Sequence, residues 1–334
     1  MHKSAIVTGA SGQDGAYLLK HLIKFNIKCV GIVRKDPSQN YPVGLSYLGL
    51  KSKVKIIKCN LDDSQEVKEL LSDLKPDLFF NLAAESSVGK SFNSPFETIN
   101  FNQNSLLNIL EAIRIYSPKT RFYQASSSEI YGNVISSDLP VTEKNAINPI
   151  SPYGVSKDFC YKCVKLYREV YGLYCVNGIL FNHESCLRKD GFVIHKAINH
   201  AISQVKGLKS KLILGDINVI RDWGYAPKYV EAIYLMLNQE TPTDLIISSG
   251  VAISLKEFLT NIYSSLKLDV NDFIEIDETL FRSKELNAIY GSAELARKKL
   301  KWEYNFSNEQ LANILVEDFL DFTNWKKTNA EPSK

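Results

Sequence analysis

Short apolar runs alternate with stretches of helical period through the first half of the chain. Runs at 5–8, 28–33, 54–59, 78–84, 121–125 and 174–181 read as strands. A periodic stretch ending near 25, and others at 64–74, 102–116 and 153–171, read as helices. Ser64 is the expected N-cap of the second of these, and Pro76 breaks it. The run at 78–84 is apolar almost throughout, as a strand covered on both faces must be. This alternation predicts an α/β fold, a doubly wound parallel sheet with helices on both faces.

Beyond residue 181 the rhythm changes. Helices are expected at 192–205, 228–238, 255–266, 293–300 and 308–322, strands at 211–214 and 245–248, and a loop at 215–226. No linker or repeat divides the halves. The expected organisation is a sheet domain over 1–181, with returning segments near 216–250, and a smaller interwoven α/β lobe over 182–325 that binds substrate. A flexible polar tail follows at 326–334.

Composition narrows the class. Of 334 residues, 45% are hydrophobic and 23% charged, as in a soluble globular enzyme. Forty basic residues against 37 acidic leave a net charge of +3, with no basic stripe to suit a nucleic acid. No run of about 18 apolar residues suits a membrane span, and no signal peptide precedes the first strand. A cytoplasmic protein is expected. Six scattered cysteines read as core residues; the pair Cys160 and Cys163 sits mid-helix with no second pair. Five histidines, His195 and His200 among them, lack metal-ligand spacing, so no metal is expected.

The candidate chemistry lies at strand ends. Thr8-Gly9-Ala10-Ser11-Gly12-Gln13-Asp14-Gly15 joins the first strand to the first helix. Glycines spaced three apart let backbone approach a pyrophosphate, and the helix N-terminus offers N–H donors; this predicts dinucleotide binding in a Rossmann-type sheet. Arg34, after the second strand, suits the 2′-phosphate of NADP, while Asp36 keeps NAD open. Tyr153 and Lys157, four apart, share a helical face. A phenol is a poor base near neutrality, but a neighbouring lysine cation favours the phenolate. With Ser127 at the end of the fifth strand, the three make a device for oxidising an alcohol.

These strings, with Asn81-Leu82-Ala83-Ala84, resemble the extended short-chain dehydrogenase/reductase family acting on nucleotide sugars. Gln124-Ala125-Ser126, Asn182-His183-Glu184-Ser185 and Arg221-Asp222-Trp223-Gly224 narrow the resemblance to the GDP-mannose 4,6-dehydratases, over residues 3 to 322. The resemblance implies Ser127, Glu129, Tyr153 and Lys157 as catalytic. It implies tightly bound, recycled NADP at the glycine turn, Arg34, Asn60, Leu61, Leu82, Ala83, Ala84, Ser86, Tyr153, Lys157, His183 and Arg188. Around a GDP-sugar it implies Ser87, Ser127, Ser128, Glu129, Asn182, Arg221, Arg282 and Glu285. A homodimer, or a homotetramer, follows by the same resemblance. The chain departs from the family pattern at Asn60, Glu85, Ser87, Glu97, Cys186, Tyr225 and Lys228, which leaves the sugar open among mannose, a heptose and an N-acetylated hexose. A 4-epimerase or 4-ketoreductase of the same fold needs no base at sugar C5, so Glu129 is the residue that points to a dehydratase. An NADP-binding sensor is the non-enzymatic alternative.

Overall fold

The computed structural model describes residues 2–281 and 286–329. β1 (Ser4–Thr8) leads into α1 (Gln13–Ile23), β2 (Lys28–Val33), a short α2 (Val43–Tyr47), β3 (Lys55–Lys58), α3 (Ser64–Leu74) and β4 (Leu78–Asn81). α4 (Val88–Asn93), α5 (Pro95–Tyr116), β5 (Arg121–Ser127), α6 (Pro152–Tyr171) and β6 (Cys175–Leu180) follow. The remainder comprises β7 (Asn182–Glu184), α7 (Val193–Val205), β8 (Leu212–Leu214), β9 (Ile220–Tyr225), α8 (Ala226–Met236), β10 (Leu245–Ile247) and β11 (Ala252–Ser254). Last come α9 (Leu255–Ser265), β12 (Ile274–Ile276), β13 (Ala288–Ile289), α10 (Glu294–Leu300) and α11 (Asn308–Asn329).

Among the described residues one sheet runs β10-β6-β5-β4-β1-β2-β3, every pairing parallel. β4 is buried at all four positions, with apolar clusters on both sides of the sheet. Strand order reverses between β1 and β4, which opens a crevice at the carboxyl ends of these strands. The second lobe is built around β9, which pairs with β7, β11 and β13, while β8 and β12 form a separate parallel pair. The expected α/β fold with a smaller interwoven lobe is therefore observed.

Local differences from the sequence reading have physical causes. Asp63, not Ser64, caps α3, accepting from the N–H groups of Gln65 and Glu66. The fourth strand stops at Asn81, because the next two N–H groups, of Leu82 and Ala83, turn to Thr8 Oγ1 at 3.0 and 3.1 Å. The expected loop at 215–226 contains β9. Its charges suggest a loop, yet the Asp222 carboxylate accepts the Ser249 and Gly250 N–H groups, each at 2.9 Å. Burial pushes the Asp222 pKa up to about 6 against those donors. α11 continues through Lys326 and Lys327 to Asn329, so helix occupies the start of the segment read as tail. No described helix is long and apolar enough to cross a membrane.

Candidate active site

The glycine turn is shaped by backbone crowding. Gly9 has φ +67°, in the region that glycine enters without cost, and its carbonyl accepts from the Gly12 N–H at 2.9 Å. A Cβ on Gly15 would lie 2.3 Å from the Gly9 carbonyl oxygen. Gly12 caps α1 with no side chain on the helix's first N–H groups. Bare N–H groups, the positive end of the helix dipole and a glycine-lined approach fit a cofactor diphosphate. Ser11 is exposed beside them, and Gln13 is buried.

The carboxyl ends of β1, β4 and β5 are tied by a chain of hydrogen bonds that reaches α6. Thr8 Oγ1 donates to Asn81 Oδ1 at 2.7 Å, Asn81 Nδ2 to Gln124 Oε1 at 2.8 Å, and Gln124 Nε2 to the Ala125 carbonyl at 3.1 Å. Lys157 Nζ donates to that same carbonyl at 2.8 Å and stands 5.7 Å from the centre of the Tyr153 ring. The lysine is almost fully buried, so this carbonyl fixes its ammonium beside the phenol. Asn81 and Gln124 are not among the residues that the sequence singles out. An amide within a strand carries no signal until its partners on neighbouring strands are known.

Ser127 ends β5, and its Oγ accepts the Glu129 N–H at 3.3 Å, capping the single turn Ser128–Ile130. That turn packs against the start of α6. A Cβ on Gly154 would lie 2.8 Å from the Glu129 carbonyl oxygen, so the glycine after Tyr153 permits the contact. Ser127, Glu129, Tyr153 and Lys157 therefore come together at one end of the sheet. Ser128 is buried. Asn102 of α5 links the loop after β4 to α6: its Oδ1 accepts the Glu85 N–H at 2.9 Å and its Nδ2 donates to Ser156 Oγ at 2.9 Å.

The other predicted residues are distributed as follows. Ala83 and Ala84 follow β4, with Leu82 and Ala83 against Gly9; Ser86 is exposed and Ser87 Oγ caps α4. Asn60 and Leu61 form the turn after β3, where the Leu61 carbonyl accepts from Asn108 Nδ2 at 3.0 Å. Arg34 borders a recess of about 470 Å³ shared with Lys35, Asp36, Gln39, Asn40 and Lys58. The Asp36 carboxylate accepts the Ser38 N–H and hydroxyl at 2.9 and 2.7 Å, so the recess carries three cations against one carboxylate. Arg34 also meets Glu85, one of the departures from the family pattern, at 3.3 Å. Asn182 opens β7 and Arg221 lies buried in β9. Arg282 and Glu285 lie outside the described residues.

A second network joins the glycine turn to β7, 169 residues on. Gln13 Nε2 donates to the His183 carbonyl at 2.9 Å, and Ser185 Oγ donates to Gln13 Oε1 at 2.8 Å. His183 Nε2 meets both Asp14 oxygens at 3.0 Å, and Nδ1 meets the Phe181 carbonyl at 2.7 Å. Burial disfavours both charges, yet the ion pair and its hydrogen bonds prevail: the pKa of Asp14 is lowered and that of His183 raised. Arg188 lies nearby, 3.7 Å from the Glu184 carboxylate, whose pKa burial raises.

The sign of the pH effect follows. The histidine's contribution to stability is complete below the ordinary 6.5 and is lost as pH rises through its raised value. The aspartate's is complete above 3.8 and is lost as pH falls through its lowered value. The difference in melting temperature between the parent and Asp14→Asn should therefore be widest between pH 3.8 and 6.5 and shrink on both sides. Thermal scans across pH check this; a difference independent of pH would exclude the ion pair as its source.

Comparison with known proteins resolves the family. The family model described as GDP-mannose 4,6 dehydratase matches residues 6–315. The chain belongs to this family. It is 36% identical over 340 residues to GDP-mannose 4,6 dehydratase 1 of Arabidopsis thaliana, covering 98% of this chain and 93% of that one. A dTDP-glucose 4,6-dehydratase of Streptomyces venezuelae, solved with NAD bound, superposes with a TM-score of 0.84 at 18% identity, covering 97% and 98% of the two chains. A UDP-glucose 4-epimerase of Thermotoga maritima superposes with a TM-score of 0.82 at 21% identity, covering 96% and 99%. A dehydratase and an epimerase share this fold equally well, so the fold leaves the reaction open. Membership of the GDP-mannose 4,6-dehydratase family places the chain among the NAD(P)-dependent nucleotide-sugar dehydratases, lyases of deoxysugar biosynthesis.

Proposed function

We propose that the protein is an NADP-dependent GDP-sugar 4,6-dehydratase, acting on GDP-mannose or a close relative such as a GDP-heptose or GDP-N-acetylhexosamine. The observation that carries this reading is the packing of the turn that bears Glu129 against Gly154, the residue next to Tyr153, with Lys157 held beside the Tyr153 ring. When bound, the cofactor accepts hydride from sugar C4 and returns it to C6. Tyr153 takes the proton of the C4 hydroxyl, with Lys157 stabilising the phenolate and Ser127 hydrogen-bonding the same oxygen. The C4 ketone acidifies the C5 proton, which Glu129 removes as general base. The C6 hydroxyl then leaves as water, taking a proton from Glu129 or Tyr153. Incubation with a panel of GDP-, dTDP- and UDP-sugars, followed by mass spectrometry, tests this: loss of one water is expected from a GDP-sugar. Conversion without water loss would favour a 4-epimerase, and net consumption of NADPH a 4-ketoreductase.

The cationic recess at Arg34 supports NADP over NAD, since a guanidinium pairs well with a 2′-phosphate. NADP should bind the tighter of the two, and Arg34→Ala should narrow the gap by about tenfold, about 1.4 kcal/mol. Titration of both cofactors measures this, and equal affinities in the parent would sink the preference. Ile115 on α5, and Leu166, Val170 and Tyr171 on α6, are exposed apolar residues on two helices that pack together. They support a homodimer built on these helices. Light scattering on the parent and on Leu166→Glu should give a dimer and a monomer respectively; a monomeric parent would dismiss this interface.

A further inference from the structure

The Asp14–His183 pair raises a question that the proposed reaction leaves unanswered. Asp14 stands in the first turn of α1, where the cofactor's diphosphate is placed by the reading above. A carboxylate there favours the helix dipole but repels a bound polyanion. Something must offset it.

The hydrogen-bond geometry identifies what does. The Phe181 carbonyl can only accept, so His183 Nδ1 donates at 2.7 Å. The Asp14 carboxylate, ionised at a helix N-terminus, also accepts, so Nε2 donates at 3.0 Å to both oxygens. A ring that donates from both nitrogens is an imidazolium. Its plane is held by stacking on Tyr229, with centroids 4.7 Å apart and 19° between planes. Arg188 also favours the Asp14 anion, but it lies 3.7 Å from Glu184, whereas His183 meets both Asp14 oxygens at 3.0 Å and is the larger charge partner. With both ring nitrogens engaged by the protein, no ring N–H is left to bond a cofactor.

We propose that His183 is a fixed countercharge, an imidazolium that neutralises Asp14 and so keeps the glycine turn receptive to a dinucleotide diphosphate. It is a positioning residue acting through Asp14. The inference rests on the cofactor reading and deepens it: β7, the first strand of the sugar lobe, supplies the charge that makes the turn of the sheet domain usable. Asp14 in exchange anchors β7, with Gln13 and Ser185 completing the join.

The test is a rescue. NADPH affinity is measured by nicotinamide fluorescence for the parent, His183→Gln and the double variant Asp14→Asn/His183→Gln. His183→Gln strands the carboxylate and should weaken binding about tenfold, whereas the double variant should recover about fivefold or more of that loss. A double variant no tighter than His183→Gln, or His183→Gln binding as the parent does, would overturn the proposal. An independent readout on the parent needs no folded variant. Ring ¹⁵N shifts of His183 at about pH 7.5, above the ordinary imidazole value of about 6.5, should show both nitrogens protonated. A neutral tautomer there also overturns it. A parent that fails to bind NADPH at all would sink the cofactor reading itself; the other adverse results sink only the countercharge.

Discussion

Glu129→Gln should still bind cofactor and sugar nucleotide but lose about a thousandfold in the rate of 4-keto-6-deoxy product formation, within the range expected for removing a general base. The amide keeps the shape and polarity of the side chain. The turn Ser128–Ile130 is held by backbone, through Ser127 Oγ and the contact at Gly154, so the substitution leaves the scaffold in place. What goes is the capacity to take the C5 proton. In the proposed mechanism the first half-reaction, oxidation at C4, is assigned to Tyr153, Lys157 and Ser127, and it should survive. Single-turnover absorbance at the reduced-nicotinamide band would then reveal an accumulating reduced cofactor. In the parent, solvent deuterium should appear at C5 of the product, because the proton removed there is replaced from exchangeable groups. Wild-type turnover by the variant, or a product without deuterium at C5, would remove Glu129 as the base that takes the C5 proton.

Gly15→Ala should be the most damaging single methyl in the cofactor turn. The added Cβ would lie 2.3 Å from the Gly9 carbonyl oxygen and 2.8 Å from the Ala10 Cα, both backbone atoms with no flexible end to yield. Either α1 lifts from β1 or the turn opens, and each spoils the site for a diphosphate. A cost of about 3 kcal/mol is expected, at the upper end for overpacked interiors, with NADPH affinity falling by a factor of about a hundred. Gly12→Ala is the comparison: its Cβ would meet only the Gly9 carbonyl, at 3.3 Å, and should be tolerated better. Melting curves and NADPH titrations of the two variants decide it. Equal behaviour would mean that the third glycine is not there for close packing.

Much of this site is legible in the amino-acid sequence. Tyr153 and Lys157 can be paired because four residues on a helix return to one face, and Lys157 does stand over the Tyr153 ring. The strand-helix alternation announces the sheet because buried parallel strands leave near-continuous apolar runs. What misleads is local polarity with distant partners. The segment 215–226 looks like a loop until Ser249 and Gly250 are seen to satisfy Asp222. The partners of departures such as Tyr225 and Cys186 are likewise distant in sequence: Tyr225 donates to Asp318 at 2.7 Å, and Cys186 meets the Tyr17 hydroxyl at 3.6 Å.

The division has a physical reason. The sequence by itself determined the strands of the main sheet, the glycine turn and the helical pairing of Tyr153 with Lys157, since periodicity, glycine freedom and helix geometry act over a few residues. Only the tertiary structure decided which strand ends meet. It ran hydrogen bonds from Thr8 through Asn81 and Gln124 to the carbonyl that holds Lys157, and it set Asp14 against His183 across 169 residues. Buried amides, carboxylates and imidazoles acquire their orientation and charge from partners, and those partners are chosen by packing, which no local pattern records.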